Sequence, residues 1–195
     1  SALPKSPEKK KSLTPKEKHK KIAASKQKKM QAKGKNANSV SPSQSQVDEL
    51  LEHYQNGRYN EAEELAVTIT QKFPKYPLGW KALGALLKQA GRLNESLVAS
   101  QKSVQLAPQD AEAHSNLGMT LQELGRLDEA LASYNQAIAL KPDYAEAHSN
   151  LGNTLQELGR LDEALASYTQ AITLKPDYAE AHSNLGITLQ ELGRL

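Results

Sequence analysis

The residues most capable of chemistry recur at one spacing. HSNLG occupies His114–Gly118, His148–Gly152 and His182–Gly186, each copy 34 residues after the last. A histidine can ligate a metal, and a serine beside a histidine can act as a nucleophile with its base. Adjacent helix residues point in different directions, so pairs such as His114-Ser115 do not assemble that dyad, and no third orienting group recurs with them. Two ligands of one zinc must each lie within about 2.1 Å of it. Packed helices lie about 8–10 Å apart, and equivalent helices are expected to be separated by an intervening one. His114, His148 and His182 are therefore ill placed to share an ion, and no metal site is expected. An asparagine amide offers a carbonyl acceptor and an NH2 donor. Asn116, Asn150 and Asn184 can thus pair with both the N–H and the C=O of an extended peptide without reading its side chains. The candidate peptide-binding set is this ladder, flanked by Ser115, Ser149, Ser183, Met119, Asn153, Gln122 and Gln156.

The elements that position this set follow from periodicity. Ala111–Tyr144 and Ala145–Tyr178 differ at three positions only, Met119/Asn153, Asn135/Thr169 and Ala139/Thr173, and a third copy starts at Ala179. A sustained period of this length means a repeat architecture rather than one globular core. Within the second full copy the apolar residues Ala147, Leu151, Leu155 and Leu158, then Leu161, Ala164, Leu165, Tyr168, Ala171, Ile172 and Leu174, recur at helical steps and mark two amphipathic helices. Gly159 between them suits a left-handed helix end. Asp162 is expected to cap the second helix, and Asp143 with Glu146 has the spacing of a capping box for the first. Lys175-Pro176 ends the second helix, because a residue before proline avoids the α region. A mid-helix glycine costs about 1 kcal/mol against alanine, so the recurrence of Gly118, Gly152 and Gly186 points to close helix approach. The acidic pairs Asp128-Glu129 and Asp162-Glu163 sit at helix starts, and the glycines come singly rather than as a phosphate-binding loop. No catalytic residue and no cofactor is expected from these patterns.

These residues resemble the tetratricopeptide repeat. Trp80, Leu83, Gly84, Gly91 and Pro108 fit its pattern in one copy. Leu117, Gly118, Leu121, Ala130, Tyr134, Ala137 and Pro142 fit it in the next, and Leu151, Gly152, Leu155, Ala164, Tyr168, Ala171 and Pro176 in the third. Ser96 and Ser103 replace usual alanines, and His114, His148 and His182 replace the usual aromatic. The resemblance implies an all-α, right-handed superhelical solenoid. The segment Ser149–Asn153 is similar to the repeats of O-linked N-acetylglucosamine transferases, whose asparagine ladder implies an extended polypeptide in the groove.

Composition divides the chain. Residues 1–45 carry 13 Lys against Glu8 and Glu17, a balance of +11; residues 46–195 carry 12 Lys and Arg against 20 Asp and Glu, a balance of −8. The first segment lacks aromatics and reads as a disordered Lys-rich tail, with a weak helix over 15–32. It could contact nucleic acid or an anionic surface through phosphates, although no interleaved aromatics support base stacking. Then come a degenerate capping repeat over 46–76, repeats over 77–110, 111–144 and 145–178, and a half repeat over 179–195. There is no cysteine, hence no disulfide framework, and no apolar run long enough to span a membrane; a cytoplasmic location is expected. The chain begins with Ser and stops in the turn after a first helix, which reads as a fragment. Three functions remain open: a module binding an extended peptide or partner helix; the substrate-recruiting arm of a glycosyltransferase, sulfotransferase or methyltransferase whose catalytic domain lies beyond Leu195; and a scaffold that stacks end to end.

Overall fold

Among the residues described by the computed structural model, 40–194, the chain forms helices and no strands. The expected tail before residue 40, with its weak helix, lies outside them. From Ser41 onward the residues make up one unit. The helices in order are α1 (Gln44–Gln55), α2 (Tyr59–Lys72), α3 (Pro77–Gln89), α4 (Leu93–Leu106), α5 (Ala111–Glu123), α6 (Leu127–Leu140), α7 (Ala145–Glu157), α8 (Leu161–Leu174) and α9 (Ala179–Glu191).

Each first helix ends as the glycine spacing predicts. Gly159 has φ 73°. Its N–H donates to the Gln156 carbonyl at 2.9 Å and the Arg160 N–H to the Leu155 carbonyl at 2.8 Å, the paired bonds that satisfy a helix C-terminus. Each second helix ends on an extended residue before proline; Lys175 has φ −138° and ψ 89°.

The helix starts differ from expectation. Asp143 and Glu146 form no capping box: the N-cap of α7 is Tyr144, with no side-chain bond to the helix. Asp162 does not cap α8 either, because the N-cap is Arg160 and Asp162 lies inside the first turn. There Arg160 Nε and Nη2 donate to Glu163 at 2.7 and 2.6 Å. A capping box does form on α1, which begins inside the stretch assigned to the tail. The Gln46 N–H donates to Ser43 Oγ at 3.3 Å and the Ser43 N–H to Gln46 Oε1 at 3.1 Å. Ser43→Ala is expected to cost about 1 kcal/mol, seen as faster amide exchange in α1 with no change in α5–α8. Equal exchange in wild type and variant would show that the box does not hold this helix.

Consecutive helices pack against one another throughout. In addition α3 touches α5, α5 touches α7 and α7 touches α9, whereas no two second helices touch among the described residues. A stack whose first helices meet and whose second helices splay apart is curved, with the first helices on the inside. From α3 onward, equivalent first helices are thus in direct contact, not separated by an intervening helix.

Packing within a repeat rests on a glycine and the ring above it. A Cβ on Gly118 would lie 2.7 Å from the Tyr134 ring, and one on Gly152 2.6 Å from the Tyr168 ring; at Gly84 it would meet Ser100 Oγ at 2.6 Å. Tyr134 and Tyr168 are 0% exposed and sit with Leu121, Leu151 and Leu155 in one core cluster. Leu50, Ile69, Leu83 and Leu86 centre a second cluster. Gly186 meets nothing within 4 Å, because no second helix of its own repeat lies against it among the described residues.

Candidate functional site: the concave face

The first helices line the inner face, and side-chain bonds link one to the next. Lys88 donates to Glu123 at 3.1 Å, Gln122 to Glu157, and Gln156 to Glu191 at 3.2 Å. Each donor is one repeat after the last, so the same bridge is made three times. Both glutamines also accept from a buried tyrosine, Gln122 from the Tyr134 hydroxyl at 3.1 Å and Gln156 from the Tyr168 hydroxyl at 3.0 Å. Burial, then the nearby glutamates, pushes both phenols well above the ordinary tyrosine range, so they remain donors. Gln122 and Gln156 therefore join the core of one repeat to the surface of the next.

The histidines have a local role. Nε2–H of His114, His148 and His182 donates to the carbonyls of Pro108, Pro142 and Pro176 at 3.0, 3.0 and 2.8 Å, since a carbonyl can only accept. Trp80 Nε1–H makes the same bond to Pro74 at 2.9 Å. Histidine thus replaces the aromatic residue while keeping its donor, a reason the repeat tolerates it. No group of His, Cys, Asp and Glu among the described residues is arranged to hold a metal ion.

The ten candidate residues separate. Ser115 and Ser149 are buried, 1% and 0% exposed, close to the Tyr144 and Tyr178 hydroxyls. They are out of a ligand's reach; Ser183 is exposed. Met119 is half-buried and packs against the core. Gln122, Gln156, Asn153 and Asn184 come together with Glu157 and Glu191 around a polar concavity of about 390 Å³. Asn116 instead borders a cleft of about 230 Å³ between α1, α3 and α5.

The asparagine ladder is not uniform. Asn184 Nδ2–H donates to Asn153 Oδ1 at 2.8 Å, and the same oxygen lies 2.7 Å from the Tyr168 hydroxyl, whose single O–H it shares with Gln156. Asn184 thus pairs with the residue 31 positions earlier. For Asn150 that residue is Met119, and for Asn116 it is Ala85, neither of which carries a side-chain oxygen to accept as Asn153 does. The half-buried amides of Asn116 and Asn150 accordingly make no hydrogen bond among the described residues.

The cleft beside Asn116 was not singled out by sequence. Leu51, Tyr54, Leu78, Ala82 and Ala85 line it, and Leu51 and Tyr54 are 39% and 40% exposed. Leu51 and Tyr54 are apolar residues of the degenerate repeat, and Leu78, Ala82 and Ala85 belong to the next, but their convergence with Asn116 on one cleft is a tertiary feature. Lys81 at the cleft donates to Glu112 at 2.6 Å and Asp110 at 3.0 Å. Burial pushes the Asp110 carboxyl up, but Lys81 and the Ala113 and Glu112 N–H groups outweigh it and hold the carboxyl below its usual range. The stability this adds is present above the ordinary carboxylate pKa and is lost as pH falls through the lowered one.

Models of the tetratricopeptide repeat match residues 47–111 and 99–132, and a TPR repeat model matches 120–159 and 152–193. No curated protein sequence matches the chain. Among solved structures, a crystal structure of MamA protein is 24% identical with a TM-score of 0.67, covering 76% of this chain and 81% of that one. MamA 41-end from Desulfovibrio magneticus RS-1 is 19% identical, with a TM-score of 0.69 and coverage of 76% and 84%. The first TPR of Spaghetti (RPAP3) bound to HSP90 peptide SRMEEVD is 26% identical, with a TM-score of 0.59 and coverage of 60% and 93%. The paired helices, the glycine turns and the matches across 47–193 agree: the chain belongs to the tetratricopeptide repeat family.

Proposed function

We propose that this chain is a protein-interaction module that holds an extended polypeptide along its concave face. The observation that carries this reading is the pair of half-buried, unpartnered amides of Asn116 and Asn150, one repeat apart on the face where the first helices meet. Each can accept from a peptide N–H and donate to a peptide C=O. Asn116 also borders the apolar cleft, so a bound segment places a leucine-sized side chain against Leu51 and Tyr54 while its main chain runs over the amides. The RPAP3 structure, a similar repeat array bound to an HSP90 peptide, supports peptide as the class of partner.

The test uses the full chain at physiological ionic strength against an array of twelve-residue peptides, with uncharged sequences included to separate groove binding from attraction to the basic segment. Asn116→Ala with Asn150→Ala is expected to weaken the strongest uncharged binders about tenfold or more, from about 1 kcal/mol per lost hydrogen bond. Binding that is absent, or unchanged in this double variant, would remove the concave face as the site.

A further inference from the structure

We infer that the partner is an extended segment with an apolar side chain for the cleft and, about six residues away, an arginine or lysine read by Glu157 and Glu191. This rests on the peptide-groove reading above and adds the chemistry of the partner. The charge of the first helices changes along the inner face. α3 carries Lys81 and Lys88 and no acid, whereas α5, α7 and α9 each carry two glutamates and no lysine or arginine. Both lysines are spent on α5: Lys81 donates to Glu112 at 2.6 Å and Lys88 to Glu123 at 3.1 Å. On α7, Glu146 pairs with Lys175 at 3.4 Å. Glu157 and Glu191 form no ion pair among the described residues.

The bridge from one first helix to the next shows where compensation stops. Its donor is Lys88 on α3, but one and two repeats later it is Gln122 and Gln156. An amide satisfies a carboxylate oxygen without adding positive charge. These two bridges use Oε1 of Glu157 and of Glu191, so the second oxygen of each has no partner among the described residues. Both carboxylates are exposed and line the same concavity of about 390 Å³, whose other lining residues are amides. Two uncompensated like charges in one concavity focus a negative potential there. At the apolar cleft, by contrast, Lys81 and Glu112 neutralise each other. The cleft is lined from α1, α3 and α5 and the concavity from α5, α7 and α9. Their centres are thus two first helices apart, about 20 Å or about six extended residues. The same potential disfavours an acidic segment, so the partner differs in charge from the acidic peptide SRMEEVD of the RPAP3 structure.

The test uses the full chain and uncharged peptides that carry one leucine, with a single arginine placed at every distance from it in either chain direction. Arginine about six residues from the leucine is expected to tighten binding about threefold to fivefold over the uncharged parent, and aspartate there to weaken it. Glu157→Gln with Glu191→Gln is expected to remove that gain and leave the uncharged parent bound as in wild type, because glutamine still accepts the Gln122 and Gln156 bridges. Raised ionic strength is expected to remove the gain likewise. Glu157→Lys with Glu191→Lys is expected to reverse the preference, so that aspartate tightens binding and arginine weakens it. An arginine gain that is the same at every distance, that persists in the double glutamine variant, or that never occurs overturns the charge reading and leaves the groove standing. Uncharged parents that fail to bind, or that bind unaffected by Asn116→Ala with Asn150→Ala, overturn the groove reading and this one with it.

Discussion

Tyr168→Ala is expected to destabilise the solenoid by about 3–5 kcal/mol, the cost of removing a large buried ring whose site cannot collapse. Tyr168 is 0% exposed and lies over Gly152, which has no side chain to move into the void. The loss also removes the hydroxyl donor to Asn153 Oδ1 and Gln156 Oε1, so the link from α8 to the inner face goes with it. At about 2–4 °C per kcal/mol for a chain of this size, the midpoint should fall by on the order of 10 °C. Tyr168→Phe separates the two contributions: it keeps the ring and loses the hydroxyl bonds, for about 1 kcal/mol. Stability in a solenoid is a sum of repeat and neighbour terms, so amide exchange should accelerate in α7–α9 and much less in α1–α3. A drop of under 1 kcal/mol for Tyr168→Ala would mean that the repeat is not built on this ring.

Gly152→Ala and Gly186→Ala should move stability in opposite directions, although both glycines sit in the same HSNLG sequence. Helix propensity favours alanine by up to about 1 kcal/mol at either site. At Gly152 the new Cβ would meet the Tyr168 ring at 2.6 Å. That ring is packed in the core and cannot swing aside, so overpacking of about 1–3 kcal/mol outweighs the propensity gain. At Gly186 nothing lies within 4 Å, and the gain stands alone. The propensity gain is common to both, so the two variants should differ by the overpacking alone, about 1–3 kcal/mol in chemical denaturation. The same shift in both would show that the glycine spacing reflects copying of the repeat and not close packing.

Both predictions depend on the same feature, a chain that repeats its sequence but not its surroundings. Ser149 is 0% exposed and Ser183, its counterpart, is exposed. Gly152 is pressed by a ring and Gly186 is open. Asn150 has no partner and Asn184 has one. In each pair the local sequence is the same and the neighbour differs.

The sequence alone determined the helices, their turns and the solenoid. Helical periodicity, a left-handed glycine and a proline stop act within a few residues of chain, and a repeated 34-residue unit can bury its apolar faces only against its neighbours. Close approach at the glycines was legible for the same reason, as small residues recurring in phase, but that a tyrosine ring lies over each of Gly118 and Gly152 was not. Helix starts were less legible. Asp143 and Asp162 have the type and near-spacing of caps, but a cap is a matter of one residue's register, and Tyr144 and Arg160 hold those positions. The candidate site was legible as a face and not as a set of free groups. Which asparagine is unpartnered depends on the residue 31 positions earlier on the adjoining helix, and which serine is reachable depends on the tyrosine that follows it. The apolar cleft exists where residues of α1, α3 and α5 converge. Those are contacts between separate helices, and only the tertiary structure decided them, because local propensity carries no information about what a neighbouring helix presents.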